Sequence, residues 1–149
     1  MAFQSLILDM AGNVGTQSLA VTIRVLTNEN LTFMQKLKLV YKEVRVGLCN
    51  CLFLGTISFV LIGLYILLLK HKTAAFSFAV SGCISMSLIL AMLVSSAVGT
   101  LVPLFFKKIK VDPALASGPL ITTIHDLVAV AAYYGMSWLL LINVLNLAA

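Results

Sequence analysis

A bundle of membrane-spanning α-helices is the fold class this sequence predicts, and three observations carry it. Of the 149 residues, 61% are hydrophobic and only 10% are charged, where an ordinary soluble domain carries about a quarter charged residues. A soluble chain this short has a high surface-to-volume ratio and too little interior for so much apolar surface. Its mean hydropathy is +1.09, and the apolar residues gather in runs. A hydrocarbon core of roughly 30 Å takes about 20 helical residues to cross, and several runs are that long.

Taken in order, residues 2–26 are the least hydrophobic of these stretches, holding Asp9, Gly12, Asn13, Gly15, Thr16, Gln17 and Arg24. A lipid-facing helix does not tolerate that content, whereas a helix inside a bundle or beside a water-filled path does. It is read as a span because of the segments that follow it. Residues 31–44 interleave Leu and Phe with Lys36, Lys38, Lys42 and Glu43, which predicts a short amphipathic helix lying at the interface. Residues 46–69 are almost wholly apolar and form the second span. Residues 74–106 form a third, long enough to tilt or to project beyond the bilayer. Residues 117–147 form the fourth, with Ser117 placed to cap it and Pro119 in its first turn, where a missing N–H costs little. Residues 1–149 therefore read as one transmembrane domain of four spans plus an interfacial helix, with no internal repeat and no soluble domain.

The net charge of +5 does not indicate a nucleic-acid partner, because the basic residues sit in connectors between apolar runs rather than on an aromatic-rich polar face. Charge there sets orientation. The first connector region holds Arg24, Lys36, Lys38, Lys42 and Arg45, and the third holds Lys107, Lys108 and Lys110, against Lys70 and Lys72 in the second. The positive-inside rule then puts the eight in the cytoplasm and both chain ends outside, in a multi-pass plasma or inner membrane protein. No basic segment precedes the first apolar stretch, so no cleavable signal is evident. An external start with little hydropathy to insert it leads to the expectation of a preceding span in the natural protein. Cys49, Cys51 and Cys83 lie within apolar runs with no histidine at zinc-like spacing, and read as small residues packed between helices.

Two of the five acidic residues, Asp9 and Asp126, fall inside proposed spans. A carboxylate there is costly and by default marks a functional site. Asp126 is nine residues past Ser117, roughly 13 Å along the helix axis. Thr122, Asp126, Ala129 and Tyr133 share one helix face by their spacing. The bland reading is an Asp126 that is protonated, or paired with Arg24 or His125. The functional reading is a cation ligand, made competent by a two-fold partner that brings a second Asp126 to the axis. Magnesium keeps several of its waters, so two carboxylates with backbone carbonyls suffice. Gly12-Asn13-x-Gly15-Thr16-Gln17 adds small residues that permit close helix approach and amides that hold water.

These residues resemble a known family. Asp9-Met-Ala-Gly-Asn-Val-Gly-Thr-Gln-Ser18, followed by Arg24, is similar to the signature of the MgtE family of magnesium channels, related to the animal solute carrier family 41. Val111-Asp-Pro-Ala-Leu-Ala-Ser-Gly-Pro119 and Ile121-Thr-Thr-Ile-His-Asp126 resemble that family's entry into its last transmembrane helix, and Lys42-Glu43 and Gly47 fit its pattern too. The resemblance implies a homodimer with a pore at its axis, lined by the first and fourth spans of this chain. It implies Asp126 as the central ion ligand, the carbonyl of Thr122 one turn earlier, and Asp112 near the cytoplasmic mouth. Asp9, Gly12, Asn13, Gly15, Thr16, Gln17 and Gly118 fall along the implied pore. Mg²⁺ is the implied cargo; oxygen ligands admit Mn²⁺ and Co²⁺ as well. Members of the family usually have five spans, a cytoplasmic helical domain and tandem CBS domains, so a preceding span and regulatory domains are implied partners beside membrane lipid.

Two other function classes remain at this point. In a proton-coupled divalent-cation carrier, Asp126 titrates during transport. In a non-conducting assembly module, Gly47, Cys51 and Gly55 dimerise helices. An enzyme is not indicated, since the adjacent His125 and Asp126 point apart on a helix and suit no triad.

Overall fold

The computed structural model describes residues 3–28, 31–116 and 119–140. They form α1 (Gln4–Asn28), α2 (Phe33–Leu69), α3 (Ala74–Lys108) and α4 (Pro119–Ser137), with a 3₁₀ turn at Pro113–Ala116 between the last two. No strand occurs among the described residues. Of the four helices, α2 and α3 are long and apolar enough by composition to cross a membrane. At 1.5 Å per residue they extend about 55 and 52 Å, well beyond a hydrocarbon core of roughly 30 Å.

One expectation needs correction. The interfacial helix over 31–44 and the span over 46–69 are a single helix, Phe33–Leu69. Lys42, Glu43 and Arg45 mark a change of polarity, but charge does not break a helix, and no proline lies between them and either end to remove a donor. Polarity was the only sequence signal for a boundary there. The helix starts at Thr32, whose N–H donates to the Gln35 side chain at 2.7 Å, half of a capping box. It ends at Lys70, with His71 left-handed (φ 51°) just beyond, the conformation that commonly closes a helix. Thr73 then caps α3 by accepting from Phe76 N–H. The short connector between them makes α2 and α3 an antiparallel hairpin.

Glycines set the spacing of that hairpin. A Cβ at Gly47 would lie 2.5 Å from Ser96 Oγ, at Gly55 2.5 Å from Ile89 Cγ1, and at Gly63 2.8 Å from Phe78 Cε1. The eight-residue repeat keeps the three on one face of α2, with fully buried Cys51 among them. Gly47, Cys51 and Gly55 are the small residues that sequence offered for joining two chains, and within this chain they are buried, with α3 against both glycines.

The bundle is organised around α3, which packs on each of the other helices. It runs parallel to α1: Gly99 lies against the Gly15 carbonyl, Ser96 Oγ is 3.0 Å from Ser18 Oγ, and the Lys107 ammonium donates to the Leu26 carbonyl in the last turn of α1. A cation there satisfies an open carbonyl and suits the negative end of the helix dipole. Ser96 also donates to the Glu43 carbonyl at 3.1 Å, tying α1, α2 and α3 together where buried Glu43 enters the bundle. In the core, Ile7, Ala11 and Val14 meet Leu88, Ala91 and Met92, closed by Ala129 and Tyr133 of α4. The hairpin geometry puts Lys70 and Lys72 at one end of the bundle, and Lys36, Lys38, Lys107 and Lys108 at the other.

The expected fourth span, 117–147, corresponds to α4 from Pro119 onward. Ser117, Gly118 and residues 141–147 lie outside the described residues.

Candidate functional site

The two sides of α1 differ sharply. Ile7, Ala11, Val14, Ser18 and Thr22 are buried, and face α3 and α4. Ser5, Asp9, Asn13, Thr16, Gln17, Ala20 and Arg24 are exposed and form one stripe on the opposite side. All but Ala20 are polar. The Thr16 hydroxyl bonds back to the Gly12 and Asn13 carbonyls at 2.8 and 3.1 Å, so its proton is satisfied within the helix. The other side chains of the stripe bring amide and carboxylate groups that hydrocarbon cannot solvate.

Helix α4 lies antiparallel to α1. The Tyr134 hydroxyl donates to Gln4 Oε1 at 3.3 Å, and the His125 ring sits against Gly15. These two contacts fix the register, which sets Asp126 at the depth of residues 12–16. Thr122 and Asp126 are exposed, one turn apart. Ala129 and Tyr133, assigned by spacing to the same face, are instead buried. The face is thus open at Asp126 and covered by its neighbours one turn later.

The remaining expected residues distribute as follows. Gly12 is half-buried, and a Cβ built on it would touch nothing within 4 Å. Gly15 departs from the rest of its motif, being buried between Gly99 of α3 and His125 of α4, where a Cβ would stand 2.0 Å from His125 Cε1. Its place is in helix packing. Asp112 is exposed, and its Oδ1 accepts from Ala114 N–H at 2.9 Å, which orients the carboxylate at the start of the 3₁₀ turn. Gly118 lies outside the described residues.

Sequence reasoning missed the part played by His125. Rather than standing beside Asp126 on the open face, it is fully buried, its ring set against the backbone of Ser95 on α3. Filling the gap above Gly15, it fixes the rotation of α4 that turns the adjacent Asp126 to the open side. The signal lay in the apolar period Ile121, His125, Ala129, Ala132, in which His125 occupies a core position.

Among the described residues no three His, Cys, Asp or Glu gather into a metal-binding group. What one chain presents is a single carboxylate with a hydroxyl one turn away, beside a polar helix face. Such a site can hold a hydrated divalent cation when a second set of oxygens faces it.

A family model described as MgtE, divalent cation transporter, matches residues 4–136. The magnesium transporter MgtE of Bacillus subtilis is 36% identical over 135 residues. Its Enterococcus faecalis counterpart is 34% identical over 135 residues. That of Thermus thermophilus is 31% identical over 140 residues. Each alignment covers 91% of this chain and 28% of the relative, so the chain spans little more than a quarter of the length of the relatives it matches. With both motif regions inside the matched segment, this chain belongs to the MgtE family of divalent cation transporters.

Proposed function

We propose that this chain forms the ion-conducting part of a magnesium transporter, in which two copies meet about a two-fold axis. In this reading α1 and α4 of each copy line the path, the two Asp126 carboxylates hold a hydrated Mg²⁺ between them, and the Thr122 carbonyls accept from its waters. Asp112 stands at the cytoplasmic mouth. The termini lie outside, and Mn²⁺ and Co²⁺ pass by the same oxygen chemistry.

The observation that carries this reading is the polar stripe of α1 from Asp9 to Arg24, set in register with exposed Thr122 and Asp126. Such a stripe is stable in a membrane only against water or another polar face, and a two-fold partner supplies both. The relatives are named magnesium transporters, which supports the cargo and gives no support to an enzyme. A non-conducting assembly module loses its main argument, because the Gly47–Cys51–Gly55 stripe is occupied by α3.

The test is magnesium influx into liposomes holding the purified chain, with and without Asp126→Ala. Flux that the substitution abolishes, unaffected by a transmembrane pH gradient, supports a channel. Flux that follows the pH gradient supports the proton-coupled carrier. Undiminished flux in Asp126→Ala would sink the assignment of the ligand.

A further inference from the structure

The path through α1 and α4 leaves one large surface feature without a role. Between the first turns of α2 and the last turns of α3 lies a groove of about 800 Å³. Its walls include Phe33, Leu37 and Tyr41 on one side and Leu101 and Phe105 on the other. These are among the most exposed apolar side chains described, with Phe33 at 73% and Tyr41 at 71%. Only two charged residues line the groove, Lys36 on α2 and Lys108 on α3. Both are cations, and they come from opposite walls.

Position adds to this. Both helices far exceed the hydrocarbon thickness, and the groove lies at the end opposite their connector, where apolar walls reach headgroup level. A soluble anion would answer the lysines and leave the walls in water. An apolar helix would cover the walls and leave two ammonium groups facing it. A ligand with a hydrocarbon chain and an anionic phosphate answers both.

We propose that this groove binds an anionic phospholipid of the adjacent leaflet, one acyl chain lying along Phe33, Leu37, Leu101 and Phe105 and the phosphodiester held between Lys36 and Lys108. The site is independent of Asp126 and of transport, and rests only on membrane placement.

The experiment places a reporter in the groove, Tyr41→Trp, in a Trp138→Phe background so that no other tryptophan contributes. The chain is reconstituted in phosphatidylcholine vesicles containing either phosphatidylglycerol or phosphatidylcholine with brominated acyl chains, which quench tryptophan on contact. Phosphatidylglycerol is expected to quench at a lower mole fraction, by about fivefold for each lysine engaged. Lys36→Gln with Lys108→Gln should abolish the preference, while Lys70→Gln with Lys72→Gln at the opposite end should preserve it. Equal quenching by the two lipids overturns the proposal, as does a preference that survives the Lys36/Lys108 pair or is lost with the Lys70/Lys72 pair. A reporter quenched by neither lipid also overturns it, since a protein segment would then cover the groove.

Discussion

Replacing Gly99 with alanine probes a close approach of two backbones, those of α1 and α3. The added Cβ would stand 2.2 Å from the Gly15 carbonyl oxygen, 3.1 Å from Gly15 C and 3.2 Å from Leu19 N. Non-bonded heavy atoms settle at roughly 3.5 Å, so α1 and α3 must part by about 1 Å. All three neighbours are backbone, which has no rotamer to swing aside. Over-packing of a tight interior costs typically 1–3 kcal/mol, and the rigidity of this contact puts Gly99→Ala at the upper end. At about 3 °C per kcal/mol for a chain of this size, the expected loss is about 9 °C in Tm. Gly12→Ala is the matched control: nothing lies within 4 Å of its Cβ, and alanine is favoured over glycine in a helix by up to about 1 kcal/mol. Thermal unfolding of both variants in detergent, followed by circular dichroism, reads the difference directly. A Gly99→Ala protein within about 2 °C of the parent, less than 1 kcal/mol on the same scale, would refute the parallel contact of α1 with α3.

Three further outcomes are expected. Gly15→Ala should destabilise the bundle by about 1–3 kcal/mol through its clash with the His125 ring; adding His125→Ala should recover part of that, seen as a non-additive cycle in unfolding. Asp126→Asn should fold like the parent but lose stabilisation by Mg²⁺, which for the parent reaches about 2.7 kcal/mol when the ion is at a hundred times its Kd; equal magnesium-dependent Tm shifts in the two proteins would count against the ligand assignment. Ser96→Ala should cost about 1 kcal/mol, because it removes both the bond with Ser18 and the one to the Glu43 carbonyl, and a neutral result in the same unfolding assay would mean that this junction is solvated.

Hydropathy alone made α2 and α3 legible, because both are apolar around most of their circumference. The first helix was legible only through its neighbours, its polarity being what a one-sided environment leaves in the sequence. The boundary drawn near residue 45 failed because polarity changes there without any backbone signal. Asp126 stood out as an acid within an expected span, whereas the burial of Glu43 depends on how α1 and α3 close over α2, which no local pattern records. Ala129 and Tyr133 show the limit of periodicity in another way: spacing assigns a residue to a face, but coverage of that face changes along the helix as neighbours converge.

The serines of α3 carry a consequence for how the protein is made. Ser77, Ser81, Ser85, Ser87, Ser95 and Ser96 are all buried, so this helix, hydrophobic enough to enter a bilayer alone, hides a hydroxyl-rich surface only once its partners arrive. The short connector to α2 delivers the first partner at once, and the Ser81 hydroxyl then finds the Phe59 carbonyl. In the proposed membrane setting, an inserted α2–α3 hairpin would offer a packing surface to α1 and α4, neither of which is long and apolar enough over its described residues to cross a membrane by composition alone. On that reading assembly would run from the middle of the chain outward, and the order of synthesis would not be the order of assembly.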